Sequence, residues 1–196
     1  MPEALKALLE RDYGLDMRPR RFVDNVDVPL LGEATMDRLR SLGWQLSALQ
    51  PEGGALEVQP KPGRRISAGT LEQLADAAAE QVVYLILDDQ DLDDADLAPL
   101  PRFFNLNRLR LNGTRLTNAT VERLVELAHL ESLNLYGTQV DDGIFQHLPA
   151  FPSLERLYLW QTNASSEAAV AFASGHPRIT VDTGVAAGAT PASQTN

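Results

Sequence analysis

Apolar positions in this chain recur on a fixed period of 24 residues. Starting from Leu106, Leu130 and Leu154, the spacing reads L-x-x-L-x-L-x-x-T-x-(L/V). The first copy is Leu106, Leu109, Leu111, Thr114, Leu116, and the second Leu130, Leu133, Leu135, Thr138, Val140. The third is Leu154, Leu157, Leu159, Thr162, with Ala164 weakening its last place. One period earlier Val82, Leu85, Leu87 and Leu92 fit, and Gln90 stands where threonine recurs. The second half of each copy repeats as well. Leu97, Leu100 and Phe103 correspond to Val121, Leu124 and Leu127, then to Phe145, Leu148 and Phe151.

The two halves predict different elements. The L-x-L core alternates apolar and polar positions, which is the period of a short strand. The steps of three in the second half put apolar residues on one face of a short helix or helical turn. Prolines at 99, 101, 149 and 152 predict that two of these segments are brief or irregular. The recurring threonine hydroxyl suits backbone groups left open where strand turns into loop. Just after it, Asp93, Thr117, Asp141 and Ser165 suit the cap of the helical segment that follows.

This spacing is that of leucine-rich repeats. One unit cannot bury its apolar face alone, so units stack into a parallel sheet with helical segments behind it. The expected fold class is therefore α/β, a leucine-rich repeat solenoid of four to five strands. The sheet lines the concave face, the helical segments line the convex face, and an N-terminal α+β cap precedes them. "GHPRITVDTG" supplies a last half-copy with Ile179 and Val181 inward. "LEVQPKPGRRIS", followed by Leu71 and Leu74, reads as a degenerate first copy with an insertion before Ile66. Upstream, the pattern predicts helices at 3–13, ended by Gly14, and 33–42, ended by Gly43. "WQLSALQPEGGALEV" predicts a hairpin turning at Pro51, Gly53 and Gly54. Residues 1–60 are the expected cap, 61–184 the repeats, and 185–196 a small, polar, disordered tail.

Composition narrows the chemistry. Apolar residues at 44% and charged residues at 22% are ordinary for a soluble globular domain. No stretch approaches the roughly 20 apolar residues of a membrane span. "MPEALKALLERDYG" lacks the basic-then-apolar order of a signal peptide, so this chain is expected neither to carry an export address nor to insert in a membrane. Cysteine is absent, which excludes disulfides, thiolate zinc sites and thioether-bound haem within these residues. A net charge of −10 argues against nucleic acid, and "GRR" at 63–65 is too short a basic cluster to reverse that.

No catalytic or metal constellation stands out, so neither an enzyme nor a cofactor is expected. In "DDQDLDDADL", Asp89, Asp91 and Asp93 alternate as in a calcium loop, but Asp94 and Leu100 occupy the places of its glycine and glutamate. A solvated loop with capping aspartates is the simpler reading. His129, His147 and His176 fall at three different repeat positions and do not converge. Ser165-Ser166-Glu167 has neither elbow glycines nor a histidine in register, and reads as a helix start.

The sharper signal is on the concave face. Residues between the inward leucines point outward in lateral rows: Tyr84, Arg108, Ser132, Arg156; then Ile86, Arg110, Asn134, Tyr158; then Asp88, Asn112, Tyr136, Trp160. With strands about 4.8 Å apart, Tyr136, Tyr158 and Trp160 form one patch with Arg110, Arg156 and the neighbouring Arg108. Tyr, Trp and Arg dominate binding hot spots, so these six are the expected partner-binding residues, for a protein partner. The competing reading is that the aromatics cover the last strands or pack on the tail.

"LNLYGTQVDDG" and "LYLWQTNAS" closely resemble the leucine-rich repeats of bacterial envelope proteins that carry planctomycete-type cytochrome c domains. "LRSLGWQLSAL" and "HPRITVDTG" extend the resemblance over roughly residues 30–184. It implies the carboxy-terminal part of such a protein, located in the periplasm or cell envelope. It also implies a haem domain, attached through a Cys-x-x-Cys-His motif that these residues lack. On that basis the chain is expected to be a fragment of a longer protein rather than a free-standing relative. The expected function is a non-enzymatic module that binds a protein partner or another domain of its parent chain. The alternative is the repeat region of a haem-carrying electron-transfer protein whose cytochrome c domain lies outside this chain.

Overall fold

A computed structural model of the protein describes residues 26–184. The expected helix at 3–13 and the expected disordered tail at 185–196 lie outside the described residues. The expected helix before Gly43 forms as α1, Glu33–Ser41. Seven strands follow: β1 Trp44–Ala48, β2 Leu56–Pro60, β3 Val82–Ile86, β4 Arg108–Arg110, β5 Ser132–Asn134, β6 Arg156–Tyr158 and β7 Thr180–Asp182. They pair in sequence order in one sheet. β1 and β2 form the expected antiparallel hairpin, and every later pairing is parallel. Because β2 bonds to β1 on one side and β3 on the other, the sheet runs unbroken across residue 60.

Between parallel strands the chain crosses behind the sheet. The crossings hold α2 Ala68–Ala78, α3 Asn118–Leu124 and α4 Ser166–Gly175, with 3-10 turns at Leu100–Arg102, Asp142–Gln146 and Leu148–Ala150. The short turns at Leu100–Arg102 and Leu148–Ala150 sit where proline interrupts the pattern, because proline removes a backbone donor and blocks helix propagation. The fold is thus α/β around a mostly parallel sheet.

The inward columns build the core. Leu85, Leu109, Leu133 and Leu157 lie in lateral register with Val181, and the four leucines are buried. So are Leu87, Leu111, Leu135 and Leu159, and Val82, Leu106, Leu130 and Leu154. Each such side chain contributes about 1.5–3 kcal/mol by leaving water. One expected inward position shifts. Ile144, not Phe145, is fully buried in its crossing, and the Phe145 ring instead lies 5.3 Å from that of Phe172. Asp142–Gln146 and Leu148–Ala150 are two separate turns, so the spacing of three does not carry through from one to the other.

Polar side chains close each strand exit as expected. The hydroxyls of Thr114, Thr138 and Thr162 donate to the carbonyls of Leu111, Leu135 and Leu159 at 2.7, 2.7 and 2.8 Å. Where Gln90 replaces threonine, its amide nitrogen donates to the Asp88 carbonyl while its oxygen accepts from the Ile66 amide, 2.8 Å away, in the preceding unit. The four expected caps also form. Asp93 accepts from Ala95 and Asp96, Thr117 from Ala119, Asp141 from Gly143 and Ser165 from Ala168.

A second polar ladder, unread in the sequence, ties the last three of these caps to the unit before each. Asp94 accepts from the backbone and hydroxyl of both Thr117 and Thr120. Burial works to raise the Asp94 pKa, but the hydrogen bonds from Thr120 and Thr117 outweigh it and hold the carboxyl below its usual value. Asn118 accepts from the Asp141 amide and donates to its carboxylate. Asp142 accepts from the amide and hydroxyl of Ser165.

The second residue past each L-x-L core is left-handed: Asp89, Gly113, Gly137 and Gln161 have φ of 55°, 65°, 66° and 53°. Glycine adopts this conformation without cost, whereas a side chain is strained by about 1–2 kcal/mol. Gln161→Gly is therefore expected to stabilise the protein by about 0.5–1 kcal/mol, part of the gain being offset by glycine's greater freedom when unfolded. A higher urea midpoint is the result to look for, and a lower one would show that the Gln161 side chain makes a compensating contact.

Candidate binding face

Alternation along each strand sends the leucines toward the helices and the intervening residues to the opposite face. Tyr84, Arg108, Ser132, Arg156 and Thr180 lie in one lateral row, and Ile86, Arg110, Asn134, Tyr158 and Asp182 in the next. Beyond the strands the backbone ladder continues, as Asp89, Gly113 and Gly137 donate to the carbonyls of Asn112, Tyr136 and Trp160 at 2.7, 2.7 and 2.8 Å. That continuation holds Asp88, Asn112, Tyr136 and Trp160 in a third row. The three rows drawn from the sequence are the rows of the fold.

The side chains in those rows are more engaged than an open patch would be. The Arg108 guanidinium sits 4.6 Å from the centre of the Tyr84 ring, a cation–π distance. Arg110 is ion-paired with Asp88, whose other oxygen accepts from the Asn112 amide. Burial pushes the Asp88 carboxyl above the usual carboxylate range, against the opposing pull of Arg110. Asn134 accepts from the Tyr136 amide at 3.1 Å, which sets the backbone that carries Tyr136.

Two of the six expected residues differ from expectation. Arg156 is only 7% exposed, so it is a buried cation in the first row rather than part of an open rim. Trp160 is half-buried at the end of the sheet. Its indole nitrogen donates to Asp182 at 2.6 Å, and that same carboxylate oxygen accepts from the Gly184 amide. Gly184 lies so close to the indole that an added Cβ would come within 2.6 Å of Cδ2. The last tryptophan therefore packs on the exit of β7, as large aromatics do when they cover the end of a short array. Tyr136, at 37%, is the exposed aromatic among the six, and Tyr158, Arg108 and Arg110 are half-buried around it.

At the centre of the face, Arg110 Nε and Asn112 Oδ1 are buried polar atoms with no hydrogen-bond partner among the described residues. Buried polar atoms are normally satisfied, so this donor and acceptor, on one strand and its exit, are exceptions to that rule.

Elsewhere the polar clusters are structural. In the aspartate run, Asp91 pairs with Arg115 at 2.8 Å, Asp96 accepts from the Asp93 amide, and Asp93 and Asp94 cap. Among the described residues no group of three or more His, Asp or Glu side chains is placed to hold a metal ion. Ser165 caps α4 and is bonded to Asp142. His176 stacks on Phe172 with ring centres 4.2 Å apart, within its own turn.

No protein-family model matches the chain, and no curated protein matches it. Among the described residues no helix is long and apolar enough to cross a membrane.

Proposed function

We propose that this chain is a leucine-rich repeat module that binds a protein partner, or another domain of its parent chain, through the sheet face opposite the helices. The recurrence of strand, threonine exit, cap and helical crossing every 24 residues supports the repeat reading. The observation that carries the binding reading is the third row. There an exposed Tyr136 stands beside half-buried Tyr158 and Trp160, and next to the orphaned polar atoms of Arg110 and Asn112. Tyr, Trp and Arg are the residues enriched at hot spots. The binding residues are Tyr136, Tyr158, Arg110 and Arg108, with Trp160 fixing the end of the face. The role is non-enzymatic and needs no cofactor of its own.

Resemblance to the repeat regions of cytochrome c domain-containing envelope proteins gives this proposal its parent-chain form. In that form a haem module lies outside these residues, in the periplasm or envelope. A Cys-x-x-Cys-His motif upstream in the same reading frame is the feature expected.

Affinity capture from envelope and soluble fractions is the direct test. Tyr136→Ala is expected to weaken capture of a specific partner at least tenfold, in keeping with hot-spot truncations of about 2 kcal/mol. Val170→Ala, on the exposed side of α4, should leave it unchanged. Equal capture by wild type and Tyr136→Ala would remove this face from the interaction.

A further inference from the structure

Asn112-Gly113 is the one Asn-Gly pair in the chain, and it stands at the exit of β4. Such a pair carries its own reactivity. Glycine has no side chain, so its backbone nitrogen can close on the asparagine carboxamide without obstruction. In that reaction the Gly113 nitrogen bonds to Asn112 Cγ, and Nδ2 leaves as ammonia with the amide proton. Water then opens the cyclic imide at either carbonyl, which leaves aspartate or isoaspartate at position 112.

Ring closure requires the peptide group between the two residues to turn about the Asn112 Cα–C bond. That peptide group is held on both sides. Its carbonyl accepts from the Asp89 amide at 2.7 Å, and its N–H donates to the Tyr136 carbonyl at 2.7 Å. Turning it breaks both bonds, and the second holds the proton that the reaction must remove.

The turn is also pinned across its own width. Thr114, 2% exposed, donates its hydroxyl to the Leu111 carbonyl at 2.7 Å and its amide to the same oxygen at 3.3 Å. The Asn112 amide donates to Asp88 at 3.3 Å, and Asn112 Oδ1 is buried.

We propose that Asn112 is a fold-gated deamidation site, protected while the exits of β3, β4 and β5 stay bonded to one another and converted when that ladder opens. Either product adds a carboxylate beside that of Asp88, which already accepts from the backbone of residue 112. Like charges so placed oppose reclosure. Isoaspartate also inserts a methylene into the backbone just ahead of Gly113, whose φ of 65° sets the turn. A transient opening of the face is thereby fixed as a permanent change in its charge, whatever the face binds.

Peptide mass mapping of the full chain, aged in mildly alkaline buffer, tests this without a partner. Conversion at Asn112 is expected to be at least about tenfold slower in the folded chain than in the same chain in urea, since only the opened state reacts. That slowing should match the hydrogen-exchange protection of the Gly113 amide, which reports the same opening. Thr114→Val removes the hydroxyl bond across this turn and is expected to speed conversion severalfold in native buffer. Thr162→Val removes the matching bond two units away and should leave the rate unchanged. Folded and unfolded chains converting at one rate, or an unprotected Gly113 amide, would overturn the proposal. So would equal rates in the two threonine variants, because the local turn would then not be the gate.

Discussion

Arg110→Ala is expected to destabilise the protein by about 2–3 kcal/mol near neutral pH, and to recover much of that loss in acid. The Arg110 and Asp88 side chains are 27% and 20% exposed, so their ion pair is largely withdrawn from water. Removing one member of a buried pair leaves an uncompensated charge and costs about 3–5 kcal/mol when burial is complete, and somewhat less here. The sign of the pH dependence follows from the direction of the Asp88 shift. Burial already raises its pKa in the folded protein, with Arg110 opposing. Without Arg110 the folded value rises further above the unfolded one. The penalty is then present above the folded pKa and disappears as the pH falls through it toward the unfolded value. Urea melts of the variant near neutrality and in mild acid should show this narrowing. Asp88→Asn added to Arg110→Ala should rescue stability near neutrality. A loss independent of pH, or no rescue, would mean that Arg110 stabilises by packing instead.

The second large effect concerns the strand exits. Thr138 is buried, and its hydroxyl donates 2.7 Å to the Leu135 carbonyl. That carbonyl also accepts from the Thr138 amide at 3.2 Å, so Thr138→Val removes one of two bonds rather than orphaning the oxygen. The expected loss is about 1–2 kcal/mol, the lower part of the range for a buried group deprived of a partner. Thr162 makes the same bond but is half-buried at the end of the array, so Thr162→Val should cost less. Denaturant melts in which the two variants lose equal stability, or Thr138→Val loses none, would remove this role from the threonine column.

What the sequence made legible was whatever depends on period. Inward leucines must recur wherever strands stack, so strand positions, lateral rows and sheet order follow from the spacing of Leu85, Leu109, Leu133 and Leu157. Short polar residues at a strand exit have few backbone groups within reach, and the roles of Thr114, Asp141 and Ser165 could be read for that reason. Contacts between units were harder. Asp88 looked like a member of an acidic run, and nothing along the chain says that its carboxylate turns sideways to Arg110, 22 residues on. The ladder from Asp94 to Thr117 and Thr120 was signalled only by the recurrence of Asp, Asn and Asp at 94, 118 and 142. Outward register was mistaken for exposure at Arg156 and Trp160. Alternation gives the direction of a side chain, not what lies over it, and at Trp160 it is Asp182 and Gly184 that close around the ring.

The claim that the sheet face opposite the helices binds a protein is tested most directly by oxidative footprinting of the chain alone and with its captured partner. Tyr136 is exposed on that face, and Phe104, 54% exposed on the turn before β4, serves as the internal reference. Bound partner is expected to lower the oxidation of Tyr136 severalfold and to leave Phe104 unchanged. Protection of Phe104 with Tyr136 still fully reactive would place the interaction elsewhere and contradict the account.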